Sequence, residues 1–287
     1  VGKLRLDDMK TTNPIAVGDR VEFSIEEDEK EGIIYRIHPR KNYVVRQSPR
    51  KKHNVHLIAS NIDQAMLIVT VKSPDLKLGF IDRFLLMTQP YDIPVIIVIN
   101  KKDILDPQDL AFCEAVTKIY SHIGYKVKLV SALTGEGIDG LKLELKDKIT
   151  LISGQSGVGK TSLINAIEPN IDLRTSEISD YTGKGQHTTT FAEMFPLSIG
   201  GDIIDTPGIK TLGFNHFDVL DVAHNFKEIF ITSQYCKFNN CTHRNEPKCA
   251  VKSAVEEGRI HPSRYASYLH IVGEVEEQNY WERHKDI

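Results

Sequence analysis

Residues 154–161, Gly154-Gln155-Ser156-Gly157-Val158-Gly159-Lys160-Thr161, set glycines, a lysine and a hydroxyl at the spacing that handles the phosphates of a nucleotide. Gly154, Gly157 and Gly159 let the backbone curl so that its N–H groups converge on a phosphate at the positive end of the following helix. Lys160 then reaches the β and γ phosphates, the Thr161 hydroxyl ligates Mg²⁺, and Ser162 extends the contact into the helix. A phosphate loop does not by itself separate ATP from GTP. The base reader lies upstream, at Asn100-Lys101-Lys102-Asp103. A carboxylate at Asp103 accepts from the N1–H and 2-amino groups of guanine, whereas adenine offers no donor there and would leave the carboxylate unpaired. Asn100 and the stem of Lys101 brace the base and the loop, and Ser131-Ala132 closes the pocket, the Ala132 N–H meeting guanine O6. The chemistry is that of a GTPase, with the base reader unusually placed ahead of the phosphate loop.

The rest of the phosphate chemistry follows the loop. Asp205-Thr206-Pro207-Gly208 reads as D-x-x-G, in which Asp205 holds Mg²⁺ through a water and the Gly208 N–H senses the γ-phosphate. Between them, 176–190 is polar and ends Gly185-Gln186-His187-Thr188-Thr189-Thr190, a switch-like segment in which Thr189 is chosen over Thr188 to complete the Mg²⁺ shell. Many GTPases orient the attacking water with a glutamine after D-x-x-G, but this chain has Ile209, which cannot hydrogen-bond. His187 is the nearest polar substitute by sequence, and a solvated loop histidine is the alternative. Ile209 also leaves open a protein that binds GTP only as a structural ligand. A third reading is a metal-dependent nucleic-acid binder with a vestigial nucleotide domain, against which the intact Lys160, Thr161, Asp205, Asn100 and Asp103 argue.

Cys236-x₄-Cys241-x-His243-x₅-Cys249 is a separate constellation. Three thiols and an imidazole in so short a stretch point to one tetrahedral zinc ion more than to disulfides, and no nearby general base suggests anything but a structural role. Cys113 stands apart on a helical pattern and reads as a small buried hydrophobe.

The elements that must position these groups are legible around them. Val95–Ile99 is an apolar strand ending at the base reader, 148–153 is a second leading into the phosphate loop, and 201–205 is a third leading into D-x-x-G. Ala65–Thr70 reads as the first strand of the core, and a helical pattern through Phe80, Phe84, Leu85 and Met87 separates it from the base reader. Asp106-Pro107 opens a helix carrying Phe112, Val116, Ile119 and Ile123, and 250–257 and the stretch from Pro262 towards Trp281 read as two more. Strand patterns also occur at 17–23, 32–37 and 42–46. Residues 32–62 contain no acid but include Arg36, Arg40, Lys41, Arg46, Arg50, Lys51 and Lys52, with Tyr35 and Tyr43 among them. A small β-barrel with such a face suits RNA, and a solvated basic loop is the alternative.

At 287 residues and 40% hydrophobic content the chain can bury a large core across two or three domains. A net charge of −3 excludes a globally basic nucleic-acid binder. The apolar run Ile93–Ile99 is too short to span a bilayer and contains Pro94, so the cytoplasm is the default expectation.

In its order of N-K-x-D, S-A-L, phosphate loop, H-T-T-T and D-T-P-G, flanked by the basic β-region and the cysteine cluster, the chain resembles the RsgA (YjeQ) family of circularly permuted ribosome-associated GTPases. The resemblance covers essentially its whole length. It implies an α/β fold: an N-terminal OB-type barrel over 1–60, a circularly permuted P-loop GTPase domain over 61–222 and a zinc-binding helical domain over 223–287. It further implies GTP hydrolysis stimulated by the 30S subunit, contact with 16S rRNA late in assembly, action as a monomer, and His187 in place of the glutamine. Before Val17 there is little room for the first strands of a complete OB-fold, so the barrel is expected either to extend upstream or to be reduced. The order of motifs also carries the chain from Ile209 through Phe214 directly towards the cysteine cluster, so nucleotide state is expected to reach that domain.

Overall fold

The computed structural model describes residues 13–25, 32–47, 55–171, 192–206 and 217–283. In the N-terminal region β1 (Val21–Ile25) pairs antiparallel with β2 (Gly32–Ile37), and β3 (Tyr43–Gln47) with β4 (Val55–Ser60). Val55–Ser60, concealed in the sequence by the charge run before it, is thus a strand as well. A parallel bridge joins Val17 to Ala59, and the Asn13 side chain extends it by accepting from Leu57 N–H at 2.9 Å and donating to the Leu57 carbonyl at 3.0 Å. Asp19, its carboxylate bound by Arg40 at 2.6 and 2.7 Å and by the Ser60 hydroxyl at 2.5 Å, fastens this entry segment to the end of β4.

The central layer is a six-stranded sheet of β5 (Gln64–Thr70), β6 (Val95–Asn100), β7 (Lys126–Leu129), β8 (Ile149–Gly154), β9 (Glu193–Pro196) and β10 (Asp202–Asp205), in the order β7-β6-β5-β8-β10-β9. All neighbours run parallel except β9, which is antiparallel to β10. Continuous apolar runs suit strands covered on both faces, and every residue of β5 and β6 is buried. The strand alternation divides them between two cores. Ala65, Leu67 and Val69 face a layer containing Phe84 and Leu85 of α1 (Leu78–Thr88) and Val116 of α2 (Pro107–His122). Met66 and Ile68 face Leu141 of α3 (Ile138–Leu145) and Leu163 and Ile164 of α4 (Lys160–Ile167). Asp106 caps α2 by accepting from the N–H groups of Gln108 and Asp109, and Asp109 returns the bond to Asp106 N–H.

Four further helices follow among the described residues: α5 (Val219–Asn225), α6 (Lys227–Ser233), α7 (Ala250–Glu256) and α8 (Pro262–Arg283). Because α5 runs through 222 and 223, the division expected there falls inside a helix. These helices have no separate core: Phe226, Ile229, Tyr268 and Val272 belong to the cluster that also contains Leu67, Phe84 and Ile97. Within that contact lies Arg264, 2% exposed, whose guanidinium binds Asp82 of α1 at 2.5 Å and Glu228 of α6 at 2.6 and 3.1 Å. Tyr120 of α2 donates to the same Asp82 oxygen at 2.6 Å, and the Arg264 guanidinium lies over the Phe226 ring at 4.5 Å. No helix among the described residues is long and apolar enough to cross a membrane.

Candidate nucleotide site and metal centre

Parallel pairing brings the carboxyl ends of β6, β8 and β10 to one edge of the sheet, the edge at which open α/β sheets bind ligands. Asn100 closes β6 and is almost fully buried. Its amide nitrogen donates to the Val158 carbonyl at 3.0 Å, and its oxygen accepts from the Ala132 N–H at 3.0 Å. One side chain thus joins the base reader to the phosphate loop and to the loop that follows β7. Asp103 accepts from the Ser131 hydroxyl, which also accepts from Thr134 N–H at 3.1 Å. The contact of Lys102 with Glu136 ties the same two loops together at the surface.

The phosphate loop has no room for side chains at two of its glycines. A Cβ on Gly154 would lie 2.6 Å from the Ile68 carbonyl oxygen, and one on Gly159 would lie 2.6 Å from the Asn100 amide nitrogen. Gly159 also has φ +83°, in the region that side chains avoid. Gly159 N-caps α4, whose first residues are Lys160 and Thr161. The Lys160 ammonium pairs with Asp205, at the end of β10, and donates to the Thr206 carbonyl at 2.5 Å. A cradle closed to Cβ atoms, a lysine and a buried carboxylate at one sheet edge fit a nucleotide with its Mg²⁺. Lys160 would meet the phosphates, and Thr161 and Asp205 the metal.

Cys236, Cys241, His243 and Cys249 come together with all four donor atoms within 4.8 Å of one another. His243 Nδ1 is 3.7 Å from Cys236 Sγ and 3.5 Å from Cys249 Sγ, and these two sulfurs are 3.9 Å apart. A tetrahedron with ordinary zinc–sulfur and zinc–nitrogen bonds has S–S edges of about 3.8 Å and S–N edges of about 3.6 Å, so Cys236, His243 and Cys249 are spaced as on a tetrahedral metal site, with Cys241 close by. Burial raises the Cys241 thiol, to about 12, and the Cys249 thiol, and lowers the His243 imidazole. The imidazole is therefore in its ligating neutral form, whereas the thiolates need a cation to exist there. The loop is held from outside by Glu246, which accepts from the Thr242 N–H and hydroxyl at 2.6 Å each and from the Arg244 N–H at 2.9 Å. From α8, the hydroxyls of Tyr265 and Tyr268 donate to the carbonyls of His243 and Thr242 at 2.6 and 2.8 Å.

Comparison with known proteins decides the family. The model of the RsgA GTPase family matches residues 37–215. The chain belongs to the RsgA GTPase family. It is 48% identical over 279 residues to the small ribosomal subunit biogenesis GTPase RsgA of Bacteroides fragilis, covering 97% of this chain and 90% of that protein. Identity to the RsgA of Phocaeicola vulgatus is 49% over the same shares. Among solved structures, YjeQ of Thermotoga maritima matches with a TM-score of 0.75 at 38% identity, covering 96% of this chain and 88% of that one. The circularly permuted GTPase YloQ matches at 0.71 and 33%, covering 94% and 85%. The expected fold class, a circularly permuted P-loop GTPase with a cysteine–histidine cluster in its C-terminal region, is the one found, and as an RsgA GTPase the protein is a GTP hydrolase.

The RsgA fold assembles most of the residues singled out in the sequence. Asn100, Lys101, Asp103, Ser131, Ala132, the loop 154–161 and Asp205 share one sheet edge, and the four metal-ligand candidates share one cluster. His187, Thr189, Gly208 and Ile209 lie outside the described residues. Two participants carried no signal in the sequence. The loop after β5 enters the site: Lys101 Nζ donates to the Ser73 carbonyl at 2.7 Å, and Pro74 Cδ lies 3.7 Å from where a Gly157 Cβ would stand. Glu246 is the other, recognisable only once Thr242 is known to begin a tight turn.

Proposed function

We propose that this GTPase binds the small ribosomal subunit and hydrolyses GTP as that particle matures, leaving once GDP has formed. The observation that carries the reading is the junction at Asn100, which joins the guanine reader to the phosphate loop, in a chain whose relatives of 46–49% identity are named small ribosomal subunit biogenesis GTPases. In this reading Asp103, Lys101, Ser131 and Ala132 select guanine, and Gly154, Gln155, Ser156, Gly157, Val158, Gly159, Lys160 and Ser162 receive the phosphates. Thr161, Thr189 and Asp205 hold Mg²⁺, Gly208 senses the γ-phosphate, and His187 orients the water that Ile209 cannot. The cysteine cluster holds one structural zinc.

The N-terminal region to residue 60 serves as an OB-type RNA-binding module, with Tyr35, 66% exposed, among its surface aromatics. The GTPase domain follows it, and the metal-bearing domain begins at α5, a few residues ahead of the division drawn from the sequence. The partner surface is 16S rRNA, the protein works as a monomer, and its compartment is the cytoplasm. Turnover of GTP and of ATP with and without purified 30S subunits tests the proposal. Stimulation confined to GTP plus 30S is expected. Equal turnover in its absence would overturn the ribosomal part, and no turnover in any condition would leave a GTP-binding protein.

A further inference from the structure

At the end of the sheet opposite the nucleotide site, the amino ends of β5, β6 and β7 and the start of β8 form the floor of a cleft of about 510 Å³. Residue Lys227, the first of α6, closes one side, so the cleft lies between the GTPase sheet and the metal-bearing unit. Its volume is that of a small-molecule site.

Charge distribution gives it a chemical preference. Lys126 is neutralised by Glu144 at 2.5 Å. The other two amines have no carboxylate within ion-pair distance among the described residues. Lys148 donates to the neutral amide oxygen of Gln64 at 3.2 Å, and Lys227 stands 4.3 Å over the Tyr125 ring. Burial holds Lys227 below the ordinary lysine range, with Glu228 and Asp92 opposing from a distance, and Glu228 is itself bound to Arg264. Two acids also line the cleft. Asp63 is engaged by Ile149 N–H at 2.9 Å and by Lys41 at 3.4 Å, while Asp147 adjoins Gly200. Pro94, Val95 and Ile96 supply an apolar floor.

We infer that this cleft binds a small phosphomonoester, its phosphate between Lys148 and Lys227 and its organic part over Pro94 and Val95. Charge-assisted bonds from both amines to one dianion satisfy groups that the fold leaves with neutral partners. The acids favour a compact ligand: Asp63 and Asp147 accept from ligand hydroxyls but repel the successive phosphates of a nucleic-acid backbone. Such a ligand would bridge the sheet and α6, independently of what the nucleotide site does.

The test is calorimetric titration of phenyl phosphate into the full-length protein with its nucleotide site saturated by GDP. Binding is expected in the parent protein and about tenfold or more weaker in Lys148→Met/Lys227→Met. Retention in Lys148→Arg/Lys227→Arg, with unchanged GTP turnover and melting temperature in both variants, separates loss of charge from loss of fold. No binding by the parent, or equal binding by the methionine variant, would overturn the proposal. So would a short single-stranded RNA that binds through the same two lysines while phenyl phosphate does not.

Discussion

The amide of Asn100 donates to the carbonyl of Val158 at 3.0 Å, across the gap between two strands that are not neighbours in the sheet. Through that bond the residue that begins the base-reading motif fixes the backbone of the phosphate loop. Since the same side chain also receives the Ala132 N–H, displacement of either loop is felt by the other.

Gly159→Ala tests this junction. Its Cβ would push on the Asn100 amide from 2.6 Å at a φ of +83°, so both the loop and the base reader must shift. Affinity for GDP, measured by fluorescent-nucleotide titration, is expected to fall at least about tenfold, whereas Gly124→Ala, at positive φ with nothing near its Cβ, should leave affinity unchanged.

Metal removal reaches beyond the metal loop. Cys241 and Cys249 belong to the same hydrophobic cluster as Phe84 and Leu67, so the C-terminal helices cannot loosen without exposing the sheet. Cys249→Ser, or chelation, is expected to lower the thermal midpoint of the whole chain in one cooperative transition. Calorimetry resolving two independent transitions, with the sheet's unshifted, would contradict this.

Arg264 sits between two carboxylates in a place with almost no water. Arg264→Met leaves the buried Asp82 and the partly buried Glu228 without their counter-charge and is expected to cost about 3–5 kcal/mol in urea unfolding. Arg264→Met/Asp82→Leu/Glu228→Leu, which removes every charge of the network, should be less destabilised than the single variant.

The start of α2 has a pH signature. Lys72 and the N–H groups of Asp109 and Gln108 hold the Asp106 carboxyl at about 2, and Asp106 and Asp109 raise Lys72 to about 12. With the folded carboxyl depressed, its contribution to stability is present above the ordinary carboxylate range and is lost as pH falls towards 2. With the folded amine raised, the lysine's contribution is complete below the ordinary lysine range and is lost as pH rises towards 12. Carboxyl-carbon NMR titration should place Asp106 near 2, and Lys72→Met should move it upward.

Legibility in the sequence followed the range of the interactions. The base reader and the phosphate loop are local strings whose chemistry demands fixed spacing, and their strands are apolar enough to be read directly. The metal ligands were legible for the same reason. Strand β4 was hidden because a basic run precedes it, and α5 and α6 because their apolar faces are made by packing on other helices, α5 on α8 and α6 on α7, and not by an obvious period. Ser73 could not be found, since its contribution is a backbone carbonyl, identical in every residue type. The Arg264 network joins positions on four helices and leaves no trace in local pattern.

Lys160 already has a partner in the buried Asp205. An anion that drew the lysine away would deprive that carboxylate of its cation, so a bare phosphate or sulfate offers a poor exchange. A nucleotide arriving with its own divalent ion would return a positive charge to Asp205 as it took Lys160. The pairing would thereby favour ligands by the charge they restore as much as by the charge they bring.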